Sequence, residues 1–372
     1  MQRNILEYLE DSCRLFPDKV VFADDKAEVT YDRFVRQSRY VGAYLLEKVL
    51  NGKKGGPVAV FIDRSIQSLT GFFGAVYAGC FYVPVDRQMP AARIGLILDT
   101  LKPEVIVGQE KDRKILEELG REDKLLLEGK VFEDAGDLSL SGEQETLLAD
   151  VRKSSLDTDP LYAIFTSGST GVPKGVLVSH RSVIDLADSF AREFSLSDQC
   201  VFGNQAPFDF DVSVKDIYST IKNGATMYVI PKVMFSFPAK LITYMNEKRI
   251  NTIIWAVSAL RIIENLNAFT GELPGYLRTA MFSGEVMHNK VLNYWRRYLP
   301  DVNYVNLYGP TEITCNCTFY KVDRSFADEE VLPIGTAFLN SGVFLLDGDR
   351  LVEERNVPGE ICVRGSSLAL GY

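Results

Sequence analysis

The chain has 372 residues, of which 46% are hydrophobic and 24% charged, a balance typical of a soluble globular protein and not of a disordered or fibrous one. Its length favours two or three domains around a shared site, and no apolar run reaches the roughly eighteen residues that a membrane span needs. Its 41 Lys and Arg against 50 Asp and Glu give a net charge of −9, which argues against general nucleic-acid binding because that needs a basic surface.

The N-terminus, the cysteines and the histidines give further indications about the location of the protein and about metal sites. Acidic residues occur within the first ten positions, where a signal peptide needs an apolar run, so we expect a cytoplasmic protein. The six cysteines are scattered without a CxxC pair, which indicates small buried hydrophobes. Since His180 and His288 are the only two histidines, a multi-histidine metal site is excluded.

Short apolar runs of β type alternate with helical stretches along most of the chain. Several runs are apolar on both faces, as in parallel strands that are covered by helices on both sides. The predicted strands are Val58–Ile62, Glu104–Val107, Tyr162–Phe165, Gly175–Val178, Met227–Ile230, Thr252–Trp255, Thr279–Phe282 and Tyr304–Leu307. The predicted helices are Ser65–Ala78, Arg113–Leu119, Arg181–Glu193, Val214–Lys222 and Leu260–Leu266. This alternation predicts an α/β fold.

Two changes in composition mark the expected domain boundaries. Residues Gln109–Asp159 are charged and rich in Ser and Gly, which we interpret as one helix plus an exposed connection between two lobes. After about Arg324 the pattern changes to short strands and turns, which favours a small antiparallel β barrel. The sequence therefore predicts two doubly wound α/β lobes, residues 1–155 and 156–324, and a barrel over residues 325–372.

The first chemical motif is a run of small hydroxyl and glycine residues directly after the Tyr162–Phe165 strand. It reads Thr166-Ser167-Gly168-Ser169-Thr170-Gly171, followed by Val172-Pro173-Lys174-Gly175. The glycines allow backbone N–H groups to converge and the hydroxyls add donors, which together predict a nest for phosphate oxygens. The spacing matches neither the Walker P-loop nor a dinucleotide fingerprint. The alternative is a flexible turn with a chance Ser/Thr cluster.

A second motif follows the Tyr304–Leu307 strand. It reads Asn306-Leu307-Tyr308-Gly309-Pro310-Thr311-Glu312. The aromatic ring can stack on a base, Asn306 can hydrogen-bond the edge of that base, and Glu312 can offer a hard oxygen to Mg²⁺. Taken alone, this motif favours an ordinary strand-to-helix turn.

Two shorter motifs complete the set. Ser283-Gly284-Glu285 stands at the end of the Thr279–Phe282 strand, where the glycine permits close approach of a flat ring. Asp211, within Phe208–Val214, can hold a substrate ammonium or simply cap the following helix. Because doubly wound sheets bind ligands where their strands end, we expect all four motifs to converge on one crevice.

At these residues the sequence resembles the adenylate-forming superfamily, which includes nonribosomal peptide synthetase adenylation domains, D-alanine–carrier-protein ligases, acyl-CoA synthetases and luciferase. The strings TSGSTGVPKG, NLYGPTE and GEICVRGSSLALGY match successive family motifs in order, and the resemblance covers essentially the whole chain. Asp211 with the following Val-Ser-Val resembles the amino-acid-activating branch. Asn204–Pro207 and Phe282–Glu285 look most like the free-standing D-alanine–carrier-protein ligases.

The resemblance implies that ATP and Mg²⁺ are used to convert an amino acid into aminoacyl-AMP. The acyl group then passes to the phosphopantetheine thiol of a carrier protein. Three alternatives stay open: a peptide-synthetase domain for another, acidic amino acid; an adenylate-binding module without turnover; and, less favoured, a CoA ligase. None of them involves nucleic acid or a membrane span.

The resemblance also implies roles for individual residues. Thr166–Gly171 and Lys174 hold phosphates, Thr311 contacts the α-phosphate, and Glu312 binds Mg²⁺, so that Thr311 and Glu312 are the expected catalytic residues. The adenine frame comprises Gly284, Glu285, Asn306, Leu307, Tyr308, Gly309 and Pro310. The expected amino-acid site comprises Asp211 for the ammonium, Phe210 at the carboxylate, and Ser283, Leu307 and Cys315 around the side chain, with Met281 and Lys215 as further candidates for specificity.

The sequence departs from the family pattern at two points. It ends at Tyr372, where the family continues to a ribose-binding aspartate and a C-terminal lid that carries a catalytic lysine, so we expect a core of low activity that still binds nucleotide. Lys215 stands where related domains line the side-chain pocket. We favour an exposed lysine there, with a pocket cation that selects an acidic side chain as the alternative. His180, at the start of a helix, is expected to be structural.

Overall fold

The computed structural model describes residues 2–133, 138–166 and 173–372 and contains three β-sheets flanked by helices. Within these ranges the strands are β1 (Val20–Ala23), β2 (Glu28–Thr30), β3 (Pro57–Ile62), β4 (Phe81–Asp86), β5 (Val105–Gly108), β6 (Leu125–Leu127), β7 (Pro160–Thr166), β8 (Lys174–Ser179), β9 (Val201–Asn204), β10 (Thr226–Val229), β11 (Thr252–Ala256), β12 (Thr279–Ser283), β13 (Asn303–Tyr308), β14 (Thr318–Lys321), β15 (Thr336–Ala337), β16 (Ser341–Asp347), β17 (Arg350–Leu351) and β18 (Glu360–Gly365).

The helices in the same ranges are α1 (Leu6–Leu15), α2 (Tyr31–Tyr44), α3 (Ile66–Tyr77), α4 (Ala91–Leu101), α5 (Arg113–Glu118), α6 (Glu128–Glu133), α7 (Gly142–Ser154), α8 (His180–Glu193), α9 (Val212–Asn223), α10 (Pro238–Glu247), α11 (Val257–Asn265) and α12 (Asn289–Tyr298). Across the described part of the chain, none of them has both the length and the apolar character that a membrane crossing requires.

Two large sheets, both mainly parallel, form the frame of the molecule. The six-stranded sheet has the order β6-β5-β3-β4-β7-β8, in which only β8 is antiparallel to its neighbour. The nine-stranded sheet has the order β15-β14-β13-β12-β11-β9-β10-β1-β2, and its strands are parallel from β13 to β1. The predicted α/β class is therefore confirmed.

The predicted strands and helices are present, with ends that differ by a few residues. The strands were predictable because their cores are buried on both faces, so that an apolar run in the sequence marks each strand. For example, Val58, Val60 and Phe61 of β3 are all fully buried. In a parallel sheet with helices on both sides this pattern leaves little freedom in placing a strand.

Residue 155 does not separate the strands of one large sheet from those of the other. β7 and β8 complete the six-stranded sheet, whereas β1 and β2 join the nine-stranded sheet, where Phe22 of β1 pairs with Met227 of β10. The Gln109–Asp159 segment also contains more secondary structure than predicted, since it supplies the edge strand β6 and the helices α5, α6 and α7. Composition reports exposure and not the pairing partner of a strand, which is why it misplaces this division.

The C-terminal segment is antiparallel, as predicted. Its strands have the order β17-β16-β18, with Val343 of β16 opposite Val363 of β18. Within the described residues these strands form an open sheet, so closure into a barrel is not seen.

Helix α9 is buried along nearly its whole length. It packs against α1 and α8 on one side and against β9, β10 and β11 on the other. Every residue from 212 to 221 is buried, including Lys215 and Asp216. A helix in this position carries its polar side chains into the interior, where each one needs a partner.

His180 has the structural position that the sequence predicts. It is the first residue of α8, it is 4% exposed, and its Nδ1 accepts a hydrogen bond from the backbone N–H of Ile5 at 3.2 Å. Burial lowers the pKa of His180 to about 3, with a smaller contribution from Arg152. A positive charge at a helix N-terminus would be unfavourable as well.

We expect the His180→Gln variant to be less sensitive to acid than the wild type. Because the folded pKa lies below the unfolded one, the unfolded chain binds the extra proton between about pH 6.5 and pH 3. This site therefore lowers the free energy of unfolding by about 1.4 kcal/mol for each pH unit in that window. Urea unfolding at pH 7, 6 and 5 measures the slope. The exposed His288→Gln is the matched control, and equal slopes for the two variants would contradict the prediction.

Candidate active site

Polar side chains gather where β12 and β13 end and where α9 begins. β12 ends at Ser283, β13 ends at Tyr308, and Asp211 directly precedes α9. The β7–β8 hairpin lies beside them, since Leu177 of β8 bridges to Gly371 and the N–H of Ala369 donates to the carbonyl of Glu312 at 2.8 Å. The predicted convergence at the carboxyl edge of a sheet is thus present for three of the four motifs.

Asp211 does not cap α9 with its side chain. Its backbone is already helical, and its carboxylate makes no side-chain capping hydrogen bond. The side chain is 7% exposed and lies beside Thr311 and the backbone N–H of Val212. Burial raises the pKa of Asp211, while Thr311 and Lys215 act in the opposite direction. Asp211 is therefore a buried carboxyl group at the start of α9 and remains the candidate for holding a substrate ammonium.

The alternation of β12 and β13 separates the predicted residues into two sets. Met281 and Leu307 belong to the core cluster that contains α9, whereas Phe282 and Tyr304 belong to the other large cluster. Ser283 continues the face of Met281, and Asn306 and Tyr308 continue the face of Tyr304. The side-chain candidates therefore lie toward Asp211, and the base-stacking candidates lie on the opposite face.

Lys215 is not the exposed lysine that we favoured from the sequence. It is 1% exposed, and its Nζ donates to Ser283 Oγ at 2.8 Å and to Asn316 Oδ1 at 2.9 Å. Burial lowers the pKa of Lys215, and the negative charges of Asp211 and Asp216 partly offset this. The snorkelling interpretation fails because α9 has no exposed face at this turn.

The turn after β13 folds back tightly against the segment that follows it. A Cβ on Gly309 would lie 2.6 Å from the Cα of Asn316, so only glycine fits. Thr314 and Cys315 both have positive φ values, 56° and 75°. The Cys315 thiol donates to the carbonyl of Asp211 at 2.9 Å. Consecutive non-glycine residues in this conformation store strain, which is typical of functional sites.

The aromatic and glycine candidates for the adenine frame lie at the rim. Gly284 has φ +88°, and a Cβ there would lie 3.7 Å from the ring of Phe210. Phe210 is 40% exposed and Tyr308 36% exposed, so both rings can still contact a ligand. The carboxylate Oε2 of Glu285 lies 4.0 Å from the guanidinium Nη2 of Arg261.

Asn306 is already engaged within the protein. Its Nδ2 donates to the carbonyl of Pro333 at 2.9 Å, and the residue is 8% exposed. Any contact of Asn306 with a base would therefore use its amide oxygen or follow a change of partner.

The phosphate motif is described only at its two ends. Thr166 pairs with Lys174 across the β7–β8 hairpin, and the Nζ of Lys174 lies 5.2 Å from the centre of the Tyr372 ring. The predicted phosphate-binding residues Ser167, Gly168, Ser169, Thr170 and Gly171 lie outside the described residues.

Glu312 fits a magnesium ion that is shared with phosphate. Its Oε1 accepts a hydrogen bond from the Tyr372 hydroxyl at 2.8 Å, and its other carboxylate oxygen has no hydrogen-bond partner among the described residues. The same residues contain no group of three or more His, Cys, Asp and Glu side chains that could hold an ion alone. Mg²⁺ usually keeps several waters and takes one or two carboxylates together with substrate phosphates, which a lone Glu312 can satisfy.

The sequence interpretation missed two residues at this site. Asn316 binds Lys215, and Tyr372 binds Glu312. The available signal for Asn316 was its place directly after Cys315. For Tyr372, no local pattern indicates that the chain returns to β8, because this contact depends on the path of the C-terminal segment.

Comparison with known proteins gives one consistent answer. The model of the family described as AMP-binding enzyme matches residues 9–372. Tyrocidine synthase 1 of Brevibacillus parabrevis is 26% identical over 370 residues, which cover 100% of this chain and 32% of the synthase. A D-alanine–D-alanyl carrier protein ligase of Bacillus velezensis is 30% identical over 359 residues, which cover 96% of this chain and 68% of the ligase.

A solved structure agrees with the sequence relatives. The AMPPNP-bound nonribosomal peptide synthetase FmoA3 superposes with a TM-score of 0.84 at 24% identity, covering 99% of this chain and 38% of that protein. The chain therefore spans about a third of the synthetases and about two thirds of the ligase.

Proposed function

Because the chain belongs to the AMP-binding enzyme family, we propose that it activates an amino acid with ATP and transfers it to the phosphopantetheine thiol of a carrier protein. The observation that carries this proposal is the buried carboxylate of Asp211, whose ionised form is favoured by Thr311, Lys215 and the backbone N–H of Val212. A buried anion of this kind suits the α-ammonium of an amino acid. The relatives whose names specify such chemistry are the carrier protein ligase and the peptide synthetases.

The proposed first step is attack of the substrate carboxylate on the α-phosphorus of ATP. One carboxylate oxygen forms a bond to this phosphorus, the bond to the pyrophosphate oxygen breaks, and aminoacyl-AMP is formed. In the second step the thiol sulfur attacks the acyl carbon, AMP leaves, and the thiol proton is released. Both reactants of the first step are anions, so the protein must mainly position them and neutralise charge.

The roles of the residues follow from their places. Asp211 holds the ammonium, which brings the carboxylate of the substrate next to Thr311 at the α-phosphate. Thr166 and Lys174 flank the phosphates together with residues 167–171, and Glu312 holds Mg²⁺. When bound, this ion neutralises phosphate charge. Gly284 and Tyr308 offer a flat frame for adenine, and Phe210 lies at the carboxylate of the substrate.

Two kinds of substrate stay open: D-alanine, as in the ligases that the sequence resembles, and an acidic amino acid. Buried Met281, Leu307 and Cys315 would suit the methyl group of alanine. The buried cation of Lys215 beside them would not, because a charge next to an apolar group loses its solvation without gaining a partner. The general function is the same for D-alanine and for an acidic amino acid. Lys215 is the residue whose charge would favour one substrate over the other.

The test is amino-acid-dependent exchange of radiolabelled pyrophosphate into ATP, followed by loading of a phosphopantetheinylated carrier protein. The panel contains the L- and D-forms of the common amino acids. The proposal predicts exchange with at least one of them and none with ATP alone. Binding of ATP without exchange for any member of the panel would instead support the non-catalytic alternative.

We expect Glu312→Gln to slow this exchange about a hundredfold at a fixed Mg²⁺ concentration, since one preorganised electrostatic contact at the phosphates is lost. Higher Mg²⁺ should restore part of the rate, because the amide still offers an oxygen. The measurement is the exchange rate as a function of Mg²⁺ concentration, with the exposed Glu329→Gln as the control. An unchanged Mg²⁺ dependence would place the ion elsewhere.

A further inference from the structure

The environment of Lys215 indicates which class of amino acid the site accepts. Lys215 is 1% exposed and lies one helical turn after Asp211 on α9. Residues four apart lie on the same face of a helix. The two opposite charges therefore stand side by side at the end of β12, where Ser283 meets Lys215.

The protein leaves the ammonium of Lys215 without a full set of partners. Its acceptors in the described structure are two neutral atoms, Ser283 Oγ and Asn316 Oδ1, for three N–H bonds. The ionisable groups that face it are Cys315, Asp211 and Asp216. Among the described residues, its hydrogen bonds go to Ser283 and Asn316 and not to either carboxylate. Buried lysines are rarely left in this state, because taking the charge out of water is costly unless a partner restores the lost interactions.

The two nearby carboxylates differ in their partners, and Oδ1 of Asp216 is buried without a hydrogen-bond partner among the described residues. Asp216 accepts a hydrogen bond from Asn204 Nδ2 at 2.8 Å, and burial raises the pKa of Asp216 to about 7. Asp211 lies beside Thr311. Because neither carboxylate is paired with Nζ at contact distance and Asp211 serves the substrate ammonium in the proposed function, a ligand carboxylate can act as the counterion of Lys215.

Apolar residues of the core that packs around α9 include three of the predicted pocket residues. Met281 is 0% exposed, Leu307 2% and Cys315 3%. All three belong to the core cluster that packs around α9. A charged ammonium in such surroundings gains most from an anionic ligand group.

We infer that the amino acid activated here carries a carboxylate in its side chain, which pairs with Lys215 while Asp211 pairs with its ammonium. This inference rests on the proposed function. It assigns Ser283 and Asn316 as positioning residues, because they hold Nζ in place. An acidic substrate completes both charge pairs at once, whereas alanine completes only one.

Calorimetric titration with non-hydrolysable aminoacyl-sulfamoyl adenosines tests the inference without turnover. The decisive pairs are aspartyl against asparaginyl and glutamyl against glutaminyl, which differ in charge but hardly in size. We expect one of the acidic analogues to bind about a hundredfold more tightly than its amide partner and than the alanyl analogue. Equal or tighter binding of the amide or alanyl analogues would overturn the inference.

The Lys215→Met variant should lose this preference and bind the alanyl analogue more tightly than the wild type does. Ser283→Ala and Asn316→Leu make smaller changes and should weaken the preference for the carboxylate without abolishing it. The wild-type comparison needs no variant, so a poorly folded Lys215→Met leaves the inference testable. Variants that keep the full wild-type preference for the carboxylate would overturn the role of Lys215.

AMP alone is the reference ligand that separates the two proposals. If AMP binds and the side chains are not discriminated as expected, the inference about Lys215 fails and the proposed function stands. If neither AMP nor any aminoacyl analogue binds, the proposed function fails and the inference fails with it.

Discussion

Asp211→Asn is expected to remove amino-acid-dependent pyrophosphate exchange while ATP binding stays nearly unchanged. The substitution keeps the size of the side chain and removes its charge, so the substrate ammonium would lose a buried partner. Breaking a buried ion pair costs about 3–5 kcal/mol, which corresponds to a loss of affinity of roughly a hundredfold or more. The adenine frame and Glu312 do not depend on this carboxylate.

Asp209→Asn is the matched control, because it makes the same change two residues earlier on the same segment. Asp209 is only partly buried and forms no part of the proposed amino-acid site. The exchange rate and the calorimetric affinity for ATP are measured for both variants. An Asp211→Asn protein with the wild-type apparent affinity for its amino acid would show that the ammonium is held elsewhere.

Gly309→Ala is expected to cause the second large loss, through geometry and without any change of charge. The new Cβ would lie 2.6 Å from the Cα of Asn316 and 2.8 Å from the N of Cys317. These are backbone atoms and cannot rotate away, so the turn has to shift. The shift would displace Thr311 and Glu312 on one side and Asn316 on the other, and a displacement of about 1 Å can cost about a hundredfold in rate.

The stability of the same variant should fall by about 1–3 kcal/mol, as for other overpacked interiors. Gly142→Ala is the control, since nothing lies within 4 Å of its Cβ position at the start of α7. Exchange rates and urea unfolding together measure both effects. A Gly309→Ala protein with wild-type activity would mean that the turn is less constrained than its backbone contacts indicate.

The location of the site was predictable from the sequence, because it depends on where strands end. The runs that end at Phe282 and Leu307 are mostly apolar, and each is followed within two residues by a glycine. In a parallel sheet such ends meet at one edge. The chemistry of these motifs could therefore be placed together before any contact was known.

The state of Lys215 was not predictable, because it depends on burial by distant elements. On the sequence, Val214-Lys215-Asp216 interrupts an amphipathic pattern and indicates a solvated face. In the structure, α1, α8 and the strands β9–β11 cover that face together. For the same reason the division of the two sheets was missed, since the partner of β1 lies about two hundred residues away at β10.

The central claim, that the chain recognises its substrate as an amino acid through Asp211, is tested most directly by paired substrates in the exchange assay. Each amino acid is compared with the acid that lacks only its α-amino group: aspartate with succinate, glutamate with glutarate, and alanine with propionate. Our account predicts exchange with at least one amino acid and a rate about a hundredfold or more lower with its partner, because the buried carboxylate of Asp211 is then left unpaired. Equal exchange with the partner acid would contradict the account and would instead indicate an acid-activating enzyme of the CoA-ligase type.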